Sequence, residues 1–184
     1  TGGSVIRPAA FCGVVGFKPT HGLIPRSGAL LLSRALDHVG VFARSVDDAA
    51  LLAQILAGFD DEDPDTRPCA QPPFVDVATS EPPLPPRLAF VRSASWKHAE
   101  MVEALGEQVA EVEIGPGFDR AIDMHRTVME VEMAHNLHRD FEQGSDSLSQ
   151  VLRELIARGR KVLAVDYTRA LAGSATLNAA LDGL

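Results

Sequence analysis

The chain opens on a hydroxyl placed directly after two glycines, in the sequence Thr1-Gly2-Gly3-Ser4. Glycine adopts positive φ angles without steric cost and lets other atoms approach the backbone closely. Successive free N–H groups in such a turn can form a concave site for an anion. A serine ending the turn would combine a nucleophilic oxygen with donors for the oxyanion that acyl transfer generates. Glycine–serine turns are common, so these four residues alone are a weak indication of chemistry.

The next residues are expected to position this turn. Pro8 suits the first position of a short helix and Gly13 suits its end. The apolar residues 14–17 predict a buried strand, which Lys18-Pro19 stops. The pattern differs from the G-x-S-x-G nucleophile elbow, because Ile6 stands where that motif needs glycine.

The first twenty residues resemble the signature block of the amidase signature family, which is close to T-G-G-S-I-R-x-P-A-x-x-x-G-x-x-G-x-K-P-T. The positions in register are Thr1, Gly2, Gly3, Ser4, Pro8, Ala9, Gly13, Gly16, Lys18, Pro19 and Thr20. One departure is local: Ile6 replaces the family's arginine, and Arg7 follows it.

The resemblance implies that Ser4 is the acylated nucleophile of an amidase. It also implies that backbone N–H groups of Thr1, Gly2 and Gly3 form the oxyanion hole. The family's other two catalytic residues, a lysine and a serine with a cis peptide bond, lie upstream of this block. The 184 residues alone are therefore expected to be nearly inactive. Lys18 belongs to the structural K-P-T segment and is not expected to replace the catalytic lysine.

A second stretch also resembles the family and predicts a capped helix. Ser45 and Asp48 form a pattern like a capping box. Apolar residues then follow at helical spacing up to Gly58, namely Ala49, Leu52, Ile55 and Leu56. Asp37 and Arg44 match the family here, and we expect them to belong to a structural polar network. A catalytic carboxylate at Asp37 is the alternative, which the family chemistry does not require.

The middle of the chain changes in composition. Residues 59–86 are rich in proline and predict an extended surface connection, in which the acidic residues 60–63 form a solvated loop rather than a cation site. Residues 87–91 predict a strand, residues 97–110 a helix, and Val112 with Ile114 another short strand. This βαβ-like unit is expected to continue the sheet.

Further helices are predicted over residues 118–142, 147–158 and 164–181. The expected fold is therefore α/β, with a mixed sheet flanked by helices and a helix-rich back half. It corresponds to the C-terminal part of an amidase signature domain. Within one partial domain over residues 1–184, residues 1–58 would form the signature core, 59–86 the proline-rich loop, and 87–184 the sheet continuation and covering helices.

The predicted helix over residues 118–142 carries a competing constellation. Glu132 and His135 form a Glu-x-x-His pair like those of di-iron bundles, with His125, Glu130 and His138 nearby. A bundle site needs a second copy of the pair and two further glutamates. We therefore expect the polar face of a surface helix, with no metal and no cofactor.

The composition of the chain limits the kinds of partner and the cellular location that we expect for it. The chain has a net charge of −8 and no basic stripe, which argues against direct nucleic-acid binding. No apolar run approaches the roughly 20 residues of a membrane-spanning helix. The two cysteines, Cys12 and Cys69, are not expected to pair, which favours the cytoplasm.

The predicted function is hydrolysis of a small-molecule carboxylic amide through an acyl-enzyme on Ser4. Two alternatives stay open at this point. One is the amidase subunit of a tRNA-dependent amidotransferase, and the other is a non-catalytic amidase-like binding domain. A homodimer is also left open.

Overall fold

The computed structural model describes residues 1–85, 88–91 and 109–182. The chain divides into two compact units. The first comprises Thr1–Ser80 and Val128–Val162, and the second comprises Glu81–Thr127 and Leu163–Leu184. The described residues are mixed α/β, about half helical, with small sheets, which confirms the predicted fold class.

The first unit begins with helix α1 (Ile6–Cys12), strand β1 (Val15–Phe17) and strand β2 (Val41–Ala43). The two strands pair antiparallel. Gly13 ends α1 with φ 65°, as the sequence predicts. The helix starts at Ile6, two residues before Pro8. Pro8 is tolerated there because a proline in the first turn lacks only an N–H that the helix would not use.

Helix α2 (Val46–Leu56) follows β2 and begins as predicted, because the Asp48 N–H donates to Ser45 Oγ at 3.2 Å. Its buried face differs from the predicted one. Ala49, Ala50 and Ala53 are buried, whereas Leu52, Ile55 and Leu56 are 42–67% exposed. Ala49 and Ala53 form a cluster with Val41 of β2, since small side chains let a helix approach a sheet closely.

The proline-rich connection is not wholly extended, which corrects the prediction for residues 59–86. It contains helix α3 (Phe74–Thr79), which begins directly after two prolines. Prolines at a helix start cost no internal hydrogen bond. Phe74 packs edge-to-face on Phe17 with ring centroids 5.5 Å apart, and the Val75 N–H donates to Gln54 Oε1 at 3.0 Å. Tertiary contacts thus stabilise a helix too short to stand alone.

The single helix predicted over residues 118–142 is wrong. A 3₁₀ turn (Pro116–Arg120) precedes α4 (Ala121–Asn136), and α5 (His138–Gly144) is a separate helix. Leu137 breaks the run with φ −98° and ψ 16° and is buried with Ala134 and Ile156. Helix α6 (Gln150–Gly159) completes this cluster, with Ser149 as its N-cap.

The second unit contains strands β3 (Leu88–Phe90) and β4 (Val109–Glu111), which pair in parallel. Among the described strands, this pair is a sheet separate from β1–β2, rather than its continuation. Residues 97–108 of the predicted helix lie outside the described residues, and 109–110 belong to β4. The strand predicted at residues 112–114 thus lies three residues earlier.

Helix α7 (Ala164–Leu181) also belongs to the second unit and matches the predicted range of 164–181. Within the described ranges, no helix combines the length and apolar character needed to cross a membrane.

Candidate active site

Ser4 lies in an exposed turn between Gly3 and the start of α1. Gly3 has φ 81°, a left-handed conformation that favours glycine. The carbonyl of Gly3 accepts a hydrogen bond from the Arg7 N–H at 2.9 Å, which ties the turn to the helix. Among the described residues, neither the Ser4 hydroxyl nor the N–H groups of Gly2 and Gly3 have a hydrogen-bond partner. The turn therefore leaves a hydroxyl and two donors unpaired.

Two glycines outside the turn bring α1 onto the strands. A methyl group added at Gly16 would lie 2.6 Å from Ala9 Cβ, and one at Gly40 would lie 2.7 Å from Val5 Cγ2. Neither distance is tolerable, so any side chain at these positions would displace α1 or Val5. Because Val5 follows Ser4 directly, this packing also fixes where the turn lies.

Asp37 binds both Thr1, at the start of the glycine turn, and the loop that precedes Asp37 in the chain. One carboxylate oxygen accepts a hydrogen bond from the Thr1 hydroxyl, and the other accepts the N–H groups of Leu32 at 2.7 Å and Ser33 at 2.9 Å. Burial alone would raise the pKa of Asp37, but these three hydrogen bonds outweigh it and lower the pKa. Asp37 is thus part of a structural network, as predicted, whereas Arg44 is exposed.

A pocket of about 220 Å³ opens beside Ser4. It is lined by Thr1, Gly3, Ser4, Val5, Ile6, Lys18, Leu36 and His38. A second pocket of about 200 Å³ shares Thr1 and His38 with it and includes Asp37. Lys18 lines the Ser4 pocket, and its ammonium donates to the Pro19 carbonyl at 2.9 Å.

His38 is a pocket residue that the sequence prediction missed, because only its place beside Asp37 distinguishes it. Its Nδ1 lies 3.0 Å from the Leu36 carbonyl oxygen. Burial lowers the pKa of His38 despite this hydrogen bond, and the charge on Lys18 adds to the effect. The ring also meets His21 edge-on, with centroids 5.0 Å apart.

Arg26 joins the loop around Asp37 to the acidic segment. Its guanidinium donates to both oxygens of Asp63 at 3.1–3.2 Å, to Asp65, and to the carbonyls of Arg34 at 2.8 Å and Asp37 at 3.2 Å. The hydrogen bond with Arg26 depresses the pKa of Asp63 far below its usual range.

Asp63 is only 5% exposed, so the predicted solvated loop is wrong at this residue. The planar guanidinium fork can satisfy a buried carboxylate, which no local sequence pattern reveals.

The carboxylates of the alternative metal site have other partners. Glu132 Oε2 accepts hydrogen bonds from Ser33 Oγ at 2.5 Å and the Ala35 N–H at 3.0 Å. Glu130 is buried and pairs with Arg158 at 2.8 Å. These two side chains thus bind within the protein rather than forming a surface face. In the part of the chain that the structure describes, no three His, Cys, Asp or Glu side chains are grouped to hold a metal.

Sequence comparison matches the chain to one family model and to several relatives. The family model described as Amidase matches residues 1–180. A mitochondrial glutamyl-tRNA(Gln) amidotransferase subunit from Ornithorhynchus anatinus is 36% identical over 150 residues, covering 76% of this chain and 28% of that protein. The corresponding subunit from Natronomonas pharaonis is 36% identical over 151 residues, covering 76% and 36%. The chain thus spans about a third of these relatives.

Structure comparison gives the same kind of match. The crystal structure of an amidase has a TM-score of 0.72 and 26% identity, covering 98% of this chain and 40% of that one. The peptide amidase of Stenotrophomonas maltophilia has a TM-score of 0.61 at 22% identity, covering 91% and 41%. The second match, at its lower identity, shows the shared fold alone.

Proposed function

The chain belongs to the amidase family, and from this premise we propose that it carries the nucleophile of an enzyme that hydrolyses a carboxylic amide. Ser4 would attack the amide carbonyl, and the N–H groups of Gly2 and Gly3, with Thr1 beside them, would hold the oxyanion. The observation that carries the proposal is the glycine turn itself, in which an exposed Ser4 hydroxyl and two backbone donors have no partner among the described residues.

Proton transfer in this proposal depends on residues outside the 184. The family's cis-serine and lysine would take the proton from Ser4 and pass it to the leaving amine. Lys18 is not assigned that role, because its ammonium donates to the Pro19 carbonyl. The oxyanion donors are expected to matter greatly, since one such donor in a dry site contributes roughly 2.7–4 kcal/mol to the transition state.

The test is Ser4→Ala in the complete protein, that is, in a protein that also contains the lysine and cis-serine of the proposed proton relay. We expect amide hydrolysis and labelling by a fluorophosphonate reagent to be lost while thermal unfolding is unchanged, because Ser4 is exposed. Ser147→Ala removes another exposed serine hydroxyl and should keep both. Turnover by the Ser4→Ala protein would remove the nucleophile assignment, and full activity of the 184 residues alone would remove the assumed proton relay.

A second candidate is the amidase subunit of a tRNA-dependent amidotransferase. The names of the relatives at 33–37% identity favour it, since each is a subunit of a glutamyl-tRNA(Gln) amidotransferase. Such a subunit would release ammonia from glutamine only with its partner subunits and aminoacyl-tRNA. Hydrolysis of a simple amide by the isolated complete protein would favour the stand-alone amidase.

The remaining alternative is a non-catalytic amidase-like binding domain. The absence of the lysine and serine from the upstream part of the gene would favour it.

The proposed ligand in either case is a small amide, without direct nucleic-acid contact. We also propose the cytoplasm as location, since Cys12 and Cys69 are both free and exposed. The homodimer stays a prediction, for which sedimentation equilibrium is the measurement.

A further inference from the structure

His38 lines the Ser4 pocket but has no part in the mechanism proposed above. The Leu36 carbonyl, 3.0 Å from Nδ1, can only accept a hydrogen bond, so Nδ1 must carry the hydrogen. In the neutral ring, Nε2 then presents a lone pair. Within the described ranges, Nε2 has no hydrogen-bond partner. The pocket therefore contains a histidine with one nitrogen fixed and the other available as an acceptor.

The neutral form of this ring has a physical basis in its surroundings. Burial disfavours the imidazolium and lowers the pKa of His38, and the facing groups Lys18 and His21 lower it further. The carboxylate of the neighbouring Asp37 already accepts hydrogen bonds from the Thr1 hydroxyl and from the N–H groups of Leu32 and Ser33. An acceptor nitrogen is therefore maintained at neutral pH.

The orientation of the ring is also determined in advance. Leu36 holds Nδ1, and His21 packs against the ring edge-on with an interplanar angle of 77°. The loop that carries Leu36 and His38 is in turn held by two carboxylates. Asp37 accepts a hydrogen bond from the Ser33 N–H, and Glu132 accepts hydrogen bonds from the Ser33 hydroxyl and the Ala35 N–H. A side chain fixed in this way can recognise a ligand group at little entropic cost.

An amide substrate brings two polar groups to the pocket, a carbonyl oxygen that accepts and an N–H that donates. The glycine turn would supply donors for the oxygen, and Lys18 can only donate. We propose that Nε2 of His38 accepts a hydrogen bond from the N–H of the substrate amide, which makes His38 a residue that selects amides over esters. This inference rests on the proposed amidase function.

The test compares two substitutions in the complete protein. His38→Asn can keep a donor near the Leu36 carbonyl but has no acceptor at the position of Nε2, whereas His38→Gln places an amide oxygen near that position. The substrates are p-nitroanilides and p-nitrophenyl esters of the same short-chain acids. We expect His38→Asn to lower kcat/KM for anilides about tenfold and for esters less than twofold, as one hydrogen bond would.

A second variant and a control distinguish a role in substrate recognition from a structural role of His38. His38→Gln should recover part of the anilide activity, and His135→Asn, which alters an exposed histidine of α4, should change neither substrate. An equal loss for anilides and esters would indicate a structural role and overturn the inference, as would full anilide activity in His38→Asn. Failure of the proposed function is a different result, because Ser4→Ala would then retain activity on both substrates.

A second measurement needs neither turnover nor a stable His38 variant. In ¹⁵N spectra of the Ser4→Ala protein, the His38 ring should carry its hydrogen on Nδ1. Addition of hexanamide should shift the Nε2 resonance, whereas methyl hexanoate, which lacks an N–H, should leave it in place. A hydrogen on Nε2, or no shift with hexanamide at saturation, would overturn the inference.

Discussion

Arg26 is the residue on which the loop beside the candidate active site depends. One guanidinium binds Asp63 and Asp65 and also the carbonyls of Arg34 and Asp37. Because Asp37 in turn holds Thr1, a change at Arg26 would reach the glycine turn through two contacts. The sequence marked Asp37 correctly but paired it with Arg44, because matching positions in a motif do not reveal which arginine is nearby in space.

Asp63→Asn should destabilise the protein in a pH-dependent way. Arg26 lowers the pKa of Asp63 in the folded state, so the unfolded chain takes up a proton at higher pH than the folded chain. The stabilisation is therefore present above the unfolded pKa of about 3.9 and is lost as the pH falls below it. At pH 7 the substitution leaves Arg26 short of a charge partner, and we expect a loss of roughly 3–5 kcal/mol in urea unfolding.

The control is Asp61→Asn, which alters an exposed carboxylate in the same segment. It should change the free energy of unfolding by less than about 0.5 kcal/mol. The difference between the two variants should shrink between pH 4 and pH 2. Equal stability of both variants at pH 7 would contradict the role assigned to Asp63.

At the scale of elements, the helices of the first unit pack on their neighbours through small residues rather than through large apolar side chains. Helix α1 packs on β1 at Gly16, and α2 packs on its neighbours through alanines rather than leucines. The sequence predicted the caps Gly13 and Ser45, since capping depends on residues within one turn. It could not predict helix α3 or the break at Leu137, because both depend on contacts with other elements.

Gly16→Ala should displace α1 and with it the Ser4 turn. The added methyl group would lie 2.6 Å from Ala9 Cβ and 3.2 Å from the Val5 carbonyl oxygen. Overpacking of this kind costs about 1–3 kcal/mol, which denaturant unfolding would measure. Gly58→Ala is the matched control, since nothing lies within 4 Å of its added methyl group. Equal stability of the two variants would show that α1 adjusts without strain.

At the scale of the whole molecule, the first unit is assembled from two distant stretches of chain. Ser33, which is fully buried, donates to Glu132 across 99 residues, and the Asn136 amide donates to the Leu32 carbonyl at 3.0 Å. Helix α4 thereby holds the loop that carries Asp37 and His38. The candidate active site thus depends on residues far from the signature block.

A double-mutant cycle of Ser33→Ala and Glu132→Ala should show strong coupling. Glu132→Ala leaves a buried hydroxyl without its acceptor, so we expect a loss of about 1–3 kcal/mol in the free energy of unfolding. Because the two residues are in contact, the double variant should lose less than the sum of the single ones. Glu154→Ala, an exposed glutamate of α6, is the control. Additive losses would mean that the hydrogen bond contributes little.

The sequence by itself determined the family, the mixed α/β class and the glycine turn that presents Ser4, because these depend on local patterns. The tertiary structure alone decided the partners of the charged side chains. Asp63, expected in solvent, lies buried on Arg26, and Glu132, expected on a surface face, binds Ser33. The physical reason is that a buried charge is satisfied by whichever donor the fold brings to it, and that donor can lie anywhere in the chain.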